Sequence, residues 1–206
     1  MTKIRMTIIV AAFILLAGLA GWSWYGTLNG SHVTSETDPA AAARIGGPFT
    51  LVDQDGKPVD QSLLKGKWTA VFFGYTYCPD VCPLTLQSLA RTKKALGADA
   101  DKLQIVFITV DPARDTPANL KAYLKSGGFP EGVVGLTGTP AQVDAVEKAY
   151  GVTAVKQGSG DTYSYSHSAV IYLMNPAGKF DSPLGEDLPA DKSAKVIRDA
   201  MKAHVG

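Results

Sequence analysis

The sequence predicts an α/β fold with a central, mostly parallel sheet, an N-terminal β-hairpin and one transmembrane helix before the folded domain. Short apolar runs rich in β-branched and aromatic residues alternate with helical patterns along most of the chain. A polar turn with glycine separates two short strand patterns at the start of this region. A long uncharged apolar segment lies near the amino end. These three observations predict the fold class.

The segment from Met6 to Tyr25 has the length and composition of a membrane-spanning helix. It lacks formal charge, and about 20 residues in a helix span roughly 30 Å, the thickness of the hydrocarbon core. Lys3 and Arg5 precede it, which favours a cytoplasmic amino end and an exported remainder. A cleaved signal peptide ending near Ala20 is the alternative. Both interpretations export the domain, and a single-pass protein of the bacterial inner membrane facing the periplasm is the simpler one.

Composition and charge predict one globular domain. The 206 residues carry 20 basic and 19 acidic side chains, so no overall field attracts nucleic acid or an anionic surface. This length is enough for one domain with a core and short for two. We expect residues 1–25 to be the membrane anchor or uncleaved signal, residues 26–46, rich in Gly, Ser, Thr and Ala, to be a linker, and residues 47–206 to be the domain.

The predicted domain begins with a hairpin and continues with alternating strands and helices. In the hairpin, Phe49–Val52 and Lys57–Val59 flank a turn that contains Gly56. The later strands are predicted at Trp68–Tyr75, Gln104–Val110, Val133–Leu136 and Ser168–Met174, and the helices at Leu84–Leu96, Thr116–Gly127, Thr139–Tyr150 and Pro189–His204. Two helices begin with a Thr-Pro pair, which supplies an N-cap and a first-turn proline. Alternation of this kind predicts a mostly parallel sheet.

Two cysteines lie between a predicted buried strand and the helix after it, in the segment Cys78-Pro79-Asp80-Val81-Cys82-Pro83. This position is the carboxyl-end edge of the sheet, where open α/β proteins usually bind ligands. With Asp80 as the predicted N-cap, Cys78 lies in the loop and Cys82 in the first helical turn, where the helix dipole favours thiolates. The spacing is compatible with a structural disulfide, a redox pair or a metal site, and alone it does not decide among them.

His167 favours a metal site. It immediately precedes the predicted strand Ser168–Met174, and in a thioredoxin-like sheet the loop entering this strand faces the cysteine loop. Two thiolates and one imidazole form a mostly soft set that suits Cu(I) and, with water or another ligand, Cu(II). Structural zinc prefers four protein ligands, and no fourth is obvious. The alternative is a histidine that only makes a hydrogen bond at a strand end.

Asp111, Arg114 and Asp115 follow the predicted strand Gln104–Val110 at the same edge of the sheet as the cysteines. One interpretation places them near the metal site, as hydrogen-bonding groups or as contacts for a partner. The other is structural, with Asp115 at a helix start and Arg114 paired with a nearby carboxylate. The sequence leaves both open.

Three stretches together resemble the Sco/SenC family of copper proteins. They are Phe73–Pro83, Val110–Pro117 and Tyr165–Ala169. The resemblance runs from about Gly47 to the end of the chain and implies a thioredoxin-like domain that binds copper through two cysteines and a histidine. These ligands correspond to Cys78, Cys82 and His167, and the two cysteines would also form a redox-active disulfide. The sequence departs from many relatives at Ser166, where they carry an acidic residue.

The resemblance further implies a copper chaperone that helps to assemble the CuA centre of cytochrome c oxidase. We expect a carrier rather than an enzyme, with the CuA-bearing oxidase subunit as recipient and the N-terminal helix as its contact with the membrane. Because a disulfide offers no thiolates, a thioredoxin-like reductant is a further expected partner. The alternatives are a periplasmic thiol–disulfide oxidoreductase that reduces cysteines of the copper recipient, and a module with a permanent disulfide.

Overall fold

A seven-stranded sheet forms the centre of the structure. The computed structural model describes residues 45–185 and 188–204. The strands are β1 (Thr50–Asp53), β2 (Pro58–Asp60), β3 (Trp68–Gly74), β4 (Leu103–Thr109), β5 (Val134–Thr137), β6 (Ala154–Gln157), β7 (Ser164–His167), β8 (Val170–Met174) and β9 (Phe180–Gly185). The helices are α1 (Val81–Leu96), α2 (Pro117–Leu124), α3 (Pro140–Tyr150) and α4 (Ala190–Ala203), with short 3-10 helices at Gln61–Leu64, Gly97–Lys102 and Gly160–Thr162.

The sheet is mixed, so the prediction of a mostly parallel sheet was wrong. Its strand order is β2-β1-β5-β4-β3-β8-β9. Only the β3–β4 and β4–β5 pairs are parallel, and the other four pairs are antiparallel. The turn between β8 and β9 is too short for a crossover, so these strands must run antiparallel. Strand β9 was not predicted, because Pro183 and polar residues weaken its strand pattern and restrict it to a sheet edge.

The central strands and the helix starts confirm the local patterns. Every residue of β3 is buried, as expected for a strand covered on both faces. Thr116 and Thr139 cap α2 and α3 by accepting hydrogen bonds from the backbone N–H groups of Asn119 and Gln142. Helix α2 ends at Leu124, earlier than predicted, whereas α1 begins before its apolar pattern does. The predicted hairpin is present as β1 and β2.

Strands β6 and β7 form a separate two-stranded sheet that the sequence pattern did not predict. Their register pairs Ala154 with His167 and Gln157 with Ser164, so His167 is the last residue of β7. The backbone N–H of Ser168 donates to the carbonyl oxygen of Thr153 at 3.0 Å, which extends the pairing past the strand end. The histidine is therefore held by a hairpin rather than by a loop.

The predicted transmembrane helix, Met6–Tyr25, and nearly all of the predicted linker lie outside the described residues. Among residues 45–185 and 188–204, no helix is both long enough and apolar enough to cross a bilayer. The anchor and the domain boundaries therefore stay predictions.

Candidate metal centre

The turn into α1 brings the two cysteines together. Asp80 occupies the N-cap position, as predicted, but its side chain makes no capping hydrogen bond. Instead, the backbone N–H of Cys82 lies 3.4 Å from the Sγ of Cys78, which accepts its hydrogen. The sulfur of Cys78 thus satisfies one of the donors that a helix start leaves without an intrahelical partner. Cys82 is fully buried and Cys78 is half-buried.

The last residue of β3 makes room for the sulfur of Cys82. A Cβ added to Gly74 would lie 2.9 Å from the Cys82 Sγ and 2.8 Å from Cε2 of Phe107. Both distances are shorter than van der Waals contact, so a larger residue would displace the sulfur or the ring. Glycine at this position therefore lets a buried thiol sit against the end of the central strand.

His167 completes a group of three metal-ligating side chains. Its Nε2 lies 3.6 Å from the Sγ of Cys82, and the potential ligand atoms of Cys78, Cys82 and His167 all lie within 4.8 Å of one another. The Nδ1 lies 3.0 Å from the carbonyl oxygen of Ser168. Because a carbonyl oxygen only accepts, this contact places the ring hydrogen on Nδ1 and points the lone pair of Nε2 toward the sulfurs.

The two thiols have opposite acidities. A hydrogen bond from the thiol of Cys82, together with hydrogen bonds from backbone N–H groups, lowers the pKa of Cys78 to about 4. The same sulfur–sulfur hydrogen bond raises the pKa of Cys82, and burial and the neighbouring thiolate raise it further. At neutral pH the reduced apoprotein therefore holds a thiolate at the half-exposed cysteine and a thiol at the buried one.

Asp115 fastens the cysteine loop to the end of β4. Its buried carboxylate accepts hydrogen bonds from the backbone N–H and the hydroxyl of Thr76, at 3.0 and 2.5 Å, and from the hydroxyl of Thr109 at 2.5 Å. Burial raises the pKa of this carboxyl, although the three hydrogen bonds oppose that shift. Thr76 lies two residues before Cys78, so Asp115 supports the metal-ligating loop without joining the group of ligands.

Asp111 and Arg114 connect the histidine hairpin to the same region. The buried carboxylate of Asp111 accepts a hydrogen bond from the hydroxyl of Tyr163 at 2.8 Å and pairs with Nε of Arg114. The guanidinium carbon of Arg114 lies 3.6 Å from the ring centroid of Tyr163 and 4.4 Å from that of Tyr77. Neither residue is among the three grouped ligands.

Aromatic residues around the site were missed at the sequence level. Tyr75 contacts the ring of His167 edge-on, with centroids 5.9 Å apart, and its hydroxyl lies 3.3 Å from the backbone nitrogen of Tyr165. The signal was present in Tyr163-Ser164-Tyr165-Ser166-His167, where large rings alternate with small polar residues. Such a period of two indicates a strand with its rings on one face.

Comparison with known proteins assigns the chain to a family. A family model described as SCO1/SenC matches residues 37–202. The chain belongs to the SCO1/SenC family. It is 37% identical over 205 residues to mitochondrial Protein SCO2 of Saccharomyces cerevisiae, covering 94% of this chain and 66% of the yeast protein. The chain thus spans just under two thirds of that relative's length.

Solved structures of SCO1/SenC proteins share the fold. Bradyrhizobium japonicum ScoI with copper bound is 45% identical, with a TM-score of 0.69, and the match covers 76% of this chain and 99% of ScoI. BsSco, described as a member of the Sco family of cytochrome c oxidase assembly proteins with a disulfide switch, is 27% identical with a TM-score of 0.61 over 76% of this chain and 92% of its own. The likeness confirms the thioredoxin-like α/β fold.

Proposed function

We propose that this protein carries one copper ion, held by the Sγ atoms of Cys78 and Cys82 and the Nε2 of His167, and delivers it to the CuA centre of cytochrome c oxidase. The observation that carries the proposal is the convergence of these three ligand atoms within 4.8 Å. The copper-bound structure of the similar ScoI supports the choice of metal. The description of BsSco supports a role in oxidase assembly.

The ligand chemistry fits copper better than zinc. Two sulfurs and one imidazole suit Cu(I), and added water would accommodate Cu(II). Structural zinc sites have four protein ligands. Within the described part of the chain, these three residues are the only group of histidine, cysteine and acidic side chains able to hold a metal ion, and they include no fourth member. The Nδ1 contact with Ser168 also keeps the imidazole in the tautomer that a metal requires.

The burial of the ligands suggests how copper leaves. Cys82 is fully buried, whereas Cys78 is half-buried, so an incoming sulfur ligand would approach from the Cys78 side. Copper would then pass to the recipient by ligand exchange, with ligands of both proteins bound to the ion at the same time. The recipient in this proposal is the oxidase subunit that bears CuA, and a thioredoxin-like protein reduces the cysteines before loading. The helix Met6–Tyr25 anchors the protein in the bacterial inner membrane, with the domain in the periplasm.

A thiol–disulfide oxidoreductase that reduces cysteines of the copper recipient is the second candidate. The low pKa of Cys78, about 4, favours it, because the thiolate is the attacking form and Cys82 is placed to resolve a mixed disulfide. The disulfide switch described for BsSco also supports it. This function requires both cysteines but not His167.

A metal titration of the full-length reduced chain tests the proposal. Under anaerobic conditions a Cu(I) chelator competes with the wild type, Cys78→Ser, Cys82→Ser and His167→Ala. Each variant should bind Cu(I) more weakly if all three residues are ligands. His204→Ala is the matched control, because His204 is exposed and its ring packs edge-on against Trp68, the first residue of β3, whereas the cysteines follow the last residue of that strand. Unchanged affinity in His167→Ala, with exchange activity dependent on the cysteines, would instead favour the oxidoreductase.

A further inference from the structure

The inward face of β7 carries three aromatic side chains in a row. Tyr163, just before the strand, and Tyr165 and His167 within it are spaced by two residues, so they share one face. Tyr163 meets Arg114 and Asp111, Tyr165 meets Tyr75, and His167 meets Cys82. Each contact ties the hairpin to the cysteine side of the domain. Tyr163 lies four residues before His167, which corresponds to roughly 13 Å along an extended chain.

Arg114 joins the two segments that bear the metal ligands. Its guanidinium lies over Tyr163 on the histidine side and over Tyr77 on the cysteine side, at 3.6 and 4.4 Å from the ring centroids. Tyr77 immediately precedes Cys78. The Nε of Arg114 pairs with the buried carboxylate of Asp111, which also accepts a hydrogen bond from the hydroxyl of Tyr163. The guanidinium is planar and always charged, so it can stack on the rings and donate hydrogen bonds at the same time. A lysine ammonium cannot do both.

The surroundings of the guanidinium distinguish it from an ordinary surface ion pair. The side chain of Arg114 is 15% exposed and that of Asp111 is fully buried. Among the described residues, the buried Nη2 nitrogen of Arg114 has no hydrogen-bond acceptor, which is unfavourable for a donor. The rings and the carboxylate therefore hold the guanidinium in place at the expense of one hydrogen bond.

The register of β7 determines whether His167 meets the sulfurs. Successive strand residues face opposite sides, so a slip by one residue would turn the imidazole away from Cys82. The β6–β7 hairpin lies outside the seven-stranded sheet, and β7 is linked to that sheet at His167, three residues before β8 begins. The contacts made by Tyr163 and Tyr165 hold the preceding part of β7 against the cysteine side.

We propose that Arg114 is a positioning residue, which holds Tyr163 against the cysteine loop and thereby keeps His167 at ligand distance from Cys78 and Cys82. This inference rests on the proposed copper site. Outer contacts that orient metal ligands typically contribute about 10- to 100-fold to metal affinity. Loss of Arg114 should therefore release the imidazole while leaving both sulfurs on the metal.

The test combines Cu(I) competition titration with X-ray absorption at the copper edge, on the full-length reduced chain. In Arg114→Gln we expect both sulfur contributions to remain, the imidazole contribution to fall, and the affinity to drop by about 10- to 100-fold. Lys156→Gln is the matched control. The Lys156 ammonium lies 3.5 Å from the centroid of the same Tyr163 ring, but Lys156 belongs to the hairpin itself, so its loss should leave both readouts at the wild-type level.

Two further variants, Tyr163→Phe and His167→Ala, keep the test decisive. Tyr163→Phe retains the stacked ring and removes only the hydrogen bond to Asp111, so it should fall between wild type and Arg114→Gln, and it decides the matter if Arg114→Gln does not fold. Added imidazole should restore the nitrogen contribution in Arg114→Gln, as in His167→Ala. A wild type that lacks the imidazole contribution would refute the copper site itself. An unchanged imidazole contribution in Arg114→Gln and Tyr163→Phe, beside its loss in His167→Ala, would overturn only the positioning role.

Discussion

Replacing Gly74 by alanine should disturb the candidate metal centre through packing alone. The added methyl group would lie 2.9 Å from the Sγ of Cys82 and 2.8 Å from Cε2 of Phe107. Both neighbours are fully buried, so neither can move into solvent. The backbone carbonyl of Gly74 also accepts a hydrogen bond from the N–H of Val110 at 2.8 Å, which keeps the strand from shifting to relieve the clash.

The cost follows from the volume of one methyl group in a close-packed core. Overpacking of this kind typically lowers the free energy of unfolding by about 1–3 kcal/mol. In a domain of this size, 1 kcal/mol corresponds to a change in melting temperature of about 2–4 °C, so Gly74→Ala should melt about 2–12 °C lower. Displacement of the Cys82 sulfur should also weaken Cu(I) binding.

Thermal unfolding of the reduced chain, followed by circular dichroism, measures the first effect, and Cu(I) competition titration measures the second. Gly47→Ala is the matched control, because a Cβ there would make only ordinary contact with the Cβ of Ala149 at 3.6 Å. The control should melt at or above the wild-type temperature, since alanine reduces the entropy of the unfolded chain. Wild-type stability and copper affinity in Gly74→Ala would refute the claim that glycine is needed at the end of β3.

Three further predictions concern protonation and hydrogen bonding. In the reduced apoprotein, iodoacetamide should alkylate Cys78 at a nearly constant rate at neutral pH, and the rate should fall on acidification with a midpoint near its pKa of about 4; a midpoint near pH 8.5, typical of a free thiol, would contradict this. Asp115→Asn should lower the free energy of unfolding by about 1–3 kcal/mol, because an amide nitrogen cannot accept the hydrogen bonds from Thr76 and Thr109; urea titration checks it. Burial raises the pKa of Glu147 to about 7, so its ionisation opposes folding as the pH rises from 4.5 to 7, and Glu147→Gln should stabilise the domain at pH 8 but not at pH 4; equal effects at both pH values would refute this.

Local patterns predicted the parts of the fold that local forces determine. The continuous apolar run of β3 and the Thr-Pro starts of α2 and α3 depend on residues a few positions apart, and all three are present in the structure. Strand β9 was missed because Pro183 interrupts its pattern, and an edge strand tolerates a proline only because no further strand pairs with it. Strand direction was mispredicted because β1 pairs with β5 and β3 pairs with β8, strands far apart in the chain whose relative directions depend on the topology of the whole sheet.

The sequence by itself determined the identity of the candidate ligands and the position of the cysteines at a helix start, because thiol and imidazole chemistry and helix capping are local properties. It also placed Asp111, Arg114 and Asp115 at the correct edge of the sheet. Only the tertiary structure decided that β7 turns His167 toward Cys82, that Asp115 fastens the cysteine loop, and that Arg114 lies between Tyr77 and Tyr163. Those contacts join residues 37 to 85 positions apart in the chain, and the pairing of distant side chains depends on strand register and packing rather than on any short pattern.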